Sequence, residues 1–166
     1  SKPILVVANV AEEDAVNGNE YSKALLDHFS PSEVETLIIS AQIEAEIREL
    51  PPEDRTEFLN DIGLEESGLD RLITASYSTL NLISFLSATA VEARAWAIPK
   101  HFKAVQAAGV IHSDFERGFI AAEVISYDTL AEVGSLHLAR EKGLIRKEGK
   151  NYEVRDGDVI YFLFNV

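Results

Sequence analysis

Asn9 and Glu12 carry the most definite chemistry in the chain. They bracket Asn9-Val10-Ala11-Glu12, which directly follows the apolar run Ile4–Ala8. An Asn amide donates and accepts at once, which suits the edge of a purine. A carboxylate three residues on can accept from an exocyclic amine or a ring N–H. Ser40-Ala41-Gln42 follows a second expected strand, Val34–Ile39, and offers backbone N–H groups and a hydroxyl. In open α/β sheets ligands bind beyond the carboxyl ends of the strands, so both loops stand where a base would lie. The plainer alternative is two polar loops capping two strands, because such short patterns recur by chance.

Other polar clusters read more simply. His112, Asp114 and Glu116 are spaced by two residues; a metal site or acid–base pair is one reading, a polar loop between helix and strand the ordinary one. Asp156 and Asp158 bracket Gly157, which reads as a hairpin turn rather than paired carboxylates. Glu44, Glu46, Glu49, Glu53, Asp54 and Glu57 form a solvated face. The patterns GxxxxGK[ST], GxGxxG, HExxH and GxSxG are absent. No catalytic residue and no metal ligand is assigned.

The elements that must position these residues differ between the halves. Residues 3–8 form a continuous apolar run, the pattern of a strand buried on both faces of a parallel sheet, and Val34–Ile39 reads as a second buried strand. Between them Asn19–Phe29 places Tyr21, Leu25, Leu26 and Phe29 on one helical stripe. Ala41–Leu50 reads as a helix stopped by Pro51 and Pro52. A second helix opens at Pro52 and ends at Gly63, and a third starts at Ser67 or Gly68 with Leu69, Leu72, Ile73, Tyr77 and Leu80 buried. The remainder reads as mixed β: strands Leu82–Phe85, Ala93–Ile98, Ile120–Ser126 and Val159–Val166, with helices at Lys103–Ala108 and Ser135–Lys142.

The 166 residues carry a formal net charge of −13. Residues 1–80 hold 17 acidic and 5 basic side chains, whereas residues 81–166 hold 11 and 10. Acidity of this order argues against general binding to nucleic acid or anionic membrane, because phosphate affinity comes from Lys and Arg. The exception is a local stretch, Arg140, Lys142, Arg146, Lys147, Lys150 and Arg155, set against Glu141, Glu148 and Glu153. With no Cys there is no disulfide, thiolate nucleophile or Cys-based metal site. No apolar run approaches the roughly 20 residues of a membrane span, and SKPILVVANVAEED lacks the pattern of a secretory signal.

Two long runs, AAGVIHSDFERGFIAAEV (Ala107–Val124) and EGKNYEVRDGDVIYFLFNV (Glu148–Val166), resemble the C-terminal part of the YchF family, the Obg-like ATPases of the translation-factor class of P-loop GTPases. ARAWAI, IEAEIREL, FLNDIGLEESGLDRLI and VVANVAEED extend the resemblance over essentially the whole chain. It implies an α/β remnant of a P-loop G domain at residues 1–81, then an α+β TGS domain of β-grasp, ubiquitin-like type at residues 82–166. Asn9-Val10-Ala11-Glu12 resembles the family's NxxE base-recognition motif, and Ser40-Ala41 its SA loop, so Asn9, Val10, Glu12, Ser40 and Ala41 are the implied base contacts. Glu in place of the usual Asp goes with ATP over GTP, since adenine lacks the N1–H and 2-amino donors of guanine. The intact protein is expected to bind and hydrolyse ATP, GTP less well, with Mg²⁺. It is expected to be cytoplasmic and to associate with the ribosome or RNA through Arg140, Lys142, Arg146, Lys147 and Lys150, with neither DNA nor membrane as partner. The P-loop and magnesium ligands would lie before Ser1, leaving this chain alone inactive. The rival reading is a stand-alone TGS-type module for RNA or protein, with no enzymatic role.

Overall fold

Leu5–Asn9 (β1) and Glu35–Ile39 (β2) lie parallel, in register from Leu5 opposite Glu35 to Asn9 opposite Ile39. The structure is a computed structural model and describes residues 2–29, 34–88 and 92–165. It divides into two compact units, Ser1–Leu80 and Asn81–Val166.

In unit 1, the parallel pair needs a crossover, which contains a 3-10 turn at Glu12–Asp14 and helix α1 (Glu20–His28). Asn19 caps α1 by accepting from Tyr21 N and Ser22 N at 3.1 and 3.0 Å. Helix α2 (Ala41–Glu49) leaves β2 directly and buries Ile43 and Ile47 against Ala15 and Leu59. Leu59 belongs to α3 (Arg55–Asp61). Helix α4 (Gly68–Thr79) starts at a Ser67 cap whose hydroxyl accepts from Asp70 N at 3.0 Å. The carboxylate of Glu44 accepts from Gly68 N at 2.7 Å, which ties α2 to the start of α4.

Several apolar side chains expected inside unit 1 are outside. Tyr21 is 77% exposed, and Ile4, Val7, Leu69, Ile73 and Leu80 are exposed as well. The face of α4 that packs is that of Gly68 and Ala75, both buried. The reason is geometric: among the described residues unit 1 has a two-stranded sheet, which cannot cover both faces of its strands and all of its helical stripes.

Unit 2 is built on a five-stranded mixed sheet in the order β4-β3-β7-β5-β6. The strands are β3 (Leu82–Ala88), β4 (Ala93–Pro99), β5 (Phe119–Ser126), β6 (Arg146–Glu148) and β7 (Asp158–Phe164). β3 and β7 are parallel, and the other neighbours are antiparallel. On one face Phe85, Ile98, Val124, Ile160 and Phe162 pack against Ala104, Ala107 and Ala108 of α5 (Ala104–Ile111). Alanine on the inner side of α5 allows close approach, so Phe85 is fully buried, worth about 2–3 kcal/mol. On the opposite face Ile125 and Val159 meet α7 (Tyr127–Val133) and α8 (Leu136–Glu141). Val166, the last residue of the expected terminal strand, lies outside the described residues.

Two local expectations are corrected. His112 does not sit in a polar loop: its Nδ1 accepts from Asp114 N at 3.1 Å and caps a short helix, α6 (Ser113–Arg117), in which Arg117 pairs with Asp114. That partner lowers the Asp114 pKa. Asp156-Gly157 turns the chain, with Gly157 at φ +75°, but closes no hairpin, because β7 pairs with β3 and β5 rather than with the preceding segment. Asp156 Oδ1 instead accepts from Ser84 N at 2.7 Å.

Candidate functional site

At the carboxyl ends of β1 and β2 the two loops singled out from sequence meet. Val10 N donates to Ile39 O at 2.9 Å, which carries the ladder one residue past the strands. Asn9 Oδ1 accepts from Ala41 N at 3.0 Å. Gln42 Nε2 reaches Glu12 Oε2 at 3.5 Å and Glu46 Oε1 at 3.4 Å. Asn9, Glu12 and Ala41 are thus brought together on exposed backbone, with Val10 half-buried beside them.

Parallel strands are what allow this. Each leaves its sheet at the same end, so loops distant in sequence start side by side. The Ala41 N–H is one of the unpaired donors of the first turn of α2, and Asn9 satisfies it. That bond holds the side chain of Asn9 by its oxygen and leaves its amide nitrogen to donate. Glu12 supplies acceptors close by. A donor and a carboxylate at one strand-end suit the ring nitrogen and exocyclic amine of a purine.

Ser40 is placed differently from its neighbours. It is 3% exposed, precedes α2 without capping it, and its hydroxyl has no hydrogen-bond partner. It supports the loop from below rather than presenting its hydroxyl to solvent. Gln42 links the two loops through its side chain, a role its residue type does not announce. Its position next to Ser40-Ala41 was the available signal, but its partner Glu12 is distant in sequence.

The basic stretch of unit 2 is divided by the sheet. Lys147 stands opposite Glu123 in the β5–β6 ladder, on the face where Arg140 pairs with Glu123 at 2.8 Å. Arg146 points to the other face, where it donates to Glu148 at 3.2 Å and to the Tyr152 hydroxyl at 3.0 Å. Tyr152 in turn donates to Asp158 at 2.7 Å, and Asp158 is 2% exposed. Burial, then the bonded Asp158, pushes the Tyr152 phenol up to about 12. Burial opposes the charge of Arg146, but Tyr152, Glu148 and Asp158 outweigh it and hold its pKa above the usual value. Arg140 and Arg146 are therefore already partnered, and on opposite faces. Lys142 and Lys150 are exposed and make no ion pair among the described residues.

Among the described residues no group of three or more His, Cys, Asp or Glu could hold a metal ion, and no helix is long and apolar enough to cross a membrane.

Residues 82–165 match the family model YchF-GTPase_C, described as a protein of unknown function (DUF933). A relative named ribosome-binding ATPase YchF from Bacillus subtilis is 48% identical over 168 residues, covering 100% of this chain and 46% of its own length. A protein of the same name from Mycoplasma genitalium is 48% identical over 170 residues, again covering 100% of this chain and 46% of its own. The solved structure of the YchF GTPase of Schizosaccharomyces pombe superposes with a TM-score of 0.83 at 30% identity, covering 98% of this chain and 43% of that one. The chain spans less than half the length of these relatives.

Proposed function

The chain belongs to the YchF family, and from that membership we propose that it is the base-recognising end of a P-loop G domain, residues 1–81, joined to a TGS domain, residues 82–166. The intact protein binds and hydrolyses ATP, GTP less well, in the cytoplasm, and associates with the ribosome or RNA through the TGS domain. One observation carries the nucleotide half: the Asn9–Ala41 hydrogen bond at 3.0 Å ties the NxxE and SA loops into one site. The mixed sheet of unit 2 supports the β-grasp reading, with β3 and β7 parallel at its centre and α5 packed on one face. The ribosome as partner comes from the names of the relatives.

Asn9, Glu12 and Ala41 fit the base of a nucleotide, but the residues present do not fit its phosphates or a magnesium ion. GxxxxGK[ST] is absent, and no metal-holding group exists among the described residues. Phosphate cradle and metal supply nearly all catalysis in this class, so this chain alone is inactive. The rival reading of a stand-alone module is not favoured, because both bacterial relatives match the whole chain, including residues 1–81.

The test compares the intact protein with this chain. The intact protein should hydrolyse ATP faster than GTP and co-sediment with ribosomes; the chain alone should bind ATP no better than millimolar. Micromolar binding of ATP by the chain in calorimetry, or a preference of the intact protein for GTP, overturns the reading.

A further inference from the structure

Lys103 and Glu153 form an isolated antiparallel bridge. Val154 N donates to Phe102 O at 3.0 Å and Ala104 N to Tyr152 O at 2.8 Å, so the loop after β4 runs beside the segment before β7. Residues opposite one another in such a pair share a side, and sides alternate along it. Phe102 and Val154 pack into the core. His101, Lys103, Glu153 and Arg155 therefore share the outer side, and all four are exposed. Lys100 precedes them in the same turn, and Lys150 sits in the turn closed by Tyr152 N donating to Gly149 O at 3.1 Å.

The charge on this side is lopsided. Lys100, Lys103, Lys150 and Arg155 make no ion pair among the described residues. The nearby acids, fewer than the cations, are each hydrogen-bonded within the chain, though those bonded to neutral groups keep their charge. Glu153 Oε1 lies 2.6 Å from His101 Nδ1, Glu148 accepts from Arg146, and Asp156 accepts from Ser84 N. Buried Asp158 accepts from Tyr152 and from the backbone N–H of Arg155. The loop is also preshaped: His101 at φ +68° and Asn81 at φ +55° are both left-handed, and Lys100 N donates to Asn81 O at 2.8 Å. Asn and His enter this region more readily than other non-glycine residues, and the bonded turn fixes the backbone from which Lys100 and Lys103 project.

We propose that Lys100, Lys103, Lys150 and Arg155 form a strip that contacts the phosphate backbone of RNA, while partnered Arg140 and Arg146 contribute little. This rests on the reading of unit 2 as the RNA- or ribosome-contacting domain and names the surface it uses. Unpaired cations release condensed counterions when they meet phosphates, and cations already held by carboxylates gain less. Tyr152, the aromatic residue of the strip, is half-buried with its hydroxyl committed to Asp158, so binding is governed by charge rather than by base stacking.

The test measures binding of this chain to a short RNA stem-loop and to purified ribosomes across a salt series. Circular dichroism verifies that each variant is folded. In the triple variant Lys100→Gln, Lys103→Gln, Arg155→Gln, RNA affinity should fall about tenfold or more near 0.1 M salt, and the slope of log K against log salt should shrink by about 2–3. The variant Arg140→Gln should stay within about twofold of the parent, as that arginine is already paired with Glu123. The reverse pattern overturns the strip but leaves RNA contact by unit 2 standing. Binding to ribosomes without binding to the stem-loop overturns it in favour of a protein partner, and no binding to either removes both readings.

Discussion

The side-chain oxygen of Asn9 accepts a hydrogen bond from the backbone N–H of Ala41 at 3.0 Å, across 32 positions of sequence. One side chain thereby ties together the two loops at the carboxyl ends of β1 and β2. Replacing it is expected to matter twice. Asn9→Ala should cost this chain about 0.5–1.5 kcal/mol in urea unfolding, the net worth of a hydrogen bond. In the intact protein it should weaken ATP binding by about tenfold or more, since an unpaired purine edge adds to the loss of loop spacing. An unchanged ATP affinity would remove Asn9 from the site.

Glu12 projects from the first loop and lies within reach of Gln42. Glu12→Asp withdraws the carboxylate by one methylene. The ratio of ATP to GTP affinity in the intact protein should move toward one, measured by competition against a fluorescent nucleotide. A ratio equal to that of the parent would count against Glu12 as the discriminating group.

Gly118 ends α6, and its carbonyl accepts a hydrogen bond from Asn165 N at 2.9 Å. A Cβ at this position would run into the backbone carbonyl of Asn165, closer than real Cβ contacts come. Gly118→Ala should destabilise unit 2 by about 2 kcal/mol. The chain has a single tryptophan, Trp96, which lies in unit 2 and stacks near Phe85, so its fluorescence reports this unfolding. Gly149, around which a Cβ meets nothing within 4 Å, provides the contrast: Gly149→Ala should stay within about 0.5 kcal/mol.

Tyr152 stays neutral in the folded chain up to about pH 12, while its ordinary value is 10.0. A raised folded pKa means that its contribution to stability is complete below pH 10 and declines as pH climbs toward 12. Denaturation midpoints should fall across that window in the parent and less so in Tyr152→Phe. At neutral pH the same variant should cost about 1–3 kcal/mol, because buried Asp158 loses a donor. A parent curve flat between pH 10 and 12 would show that the phenol is not held as described.

Much of this protein was legible in one dimension. The paired loops at Asn9 and Ser40 could be located because apolar runs mark strands, and parallel strands put their following loops together. The Gly63 stop also follows from local chemistry: the glycine lies just past a helix at positive φ. Burial was less legible. Leu69, Ile73 and Tyr21 fall on helical stripes, but a stripe records only that a face is apolar, and whether it is covered depends on what else packs there.

The amino-acid sequence by itself determined the family, the meeting of the loops at Asn9 and Ser40 and the division of charge between the halves. Each of these resides in residue type and spacing along the chain. The tertiary structure decided which polar groups remain free. It committed the Ala41 N–H to Asn9, tucked Ser40 away, and sent Arg140 and Arg146 to opposite faces with carboxylate partners. It also set Lys103 opposite Glu153, next to Arg155 in the chain, across a β-bridge that no local pattern announces. The physical reason is that a hydrogen bond or ion pair depends on separation in space, and strand register rather than distance along the chain sets that separation.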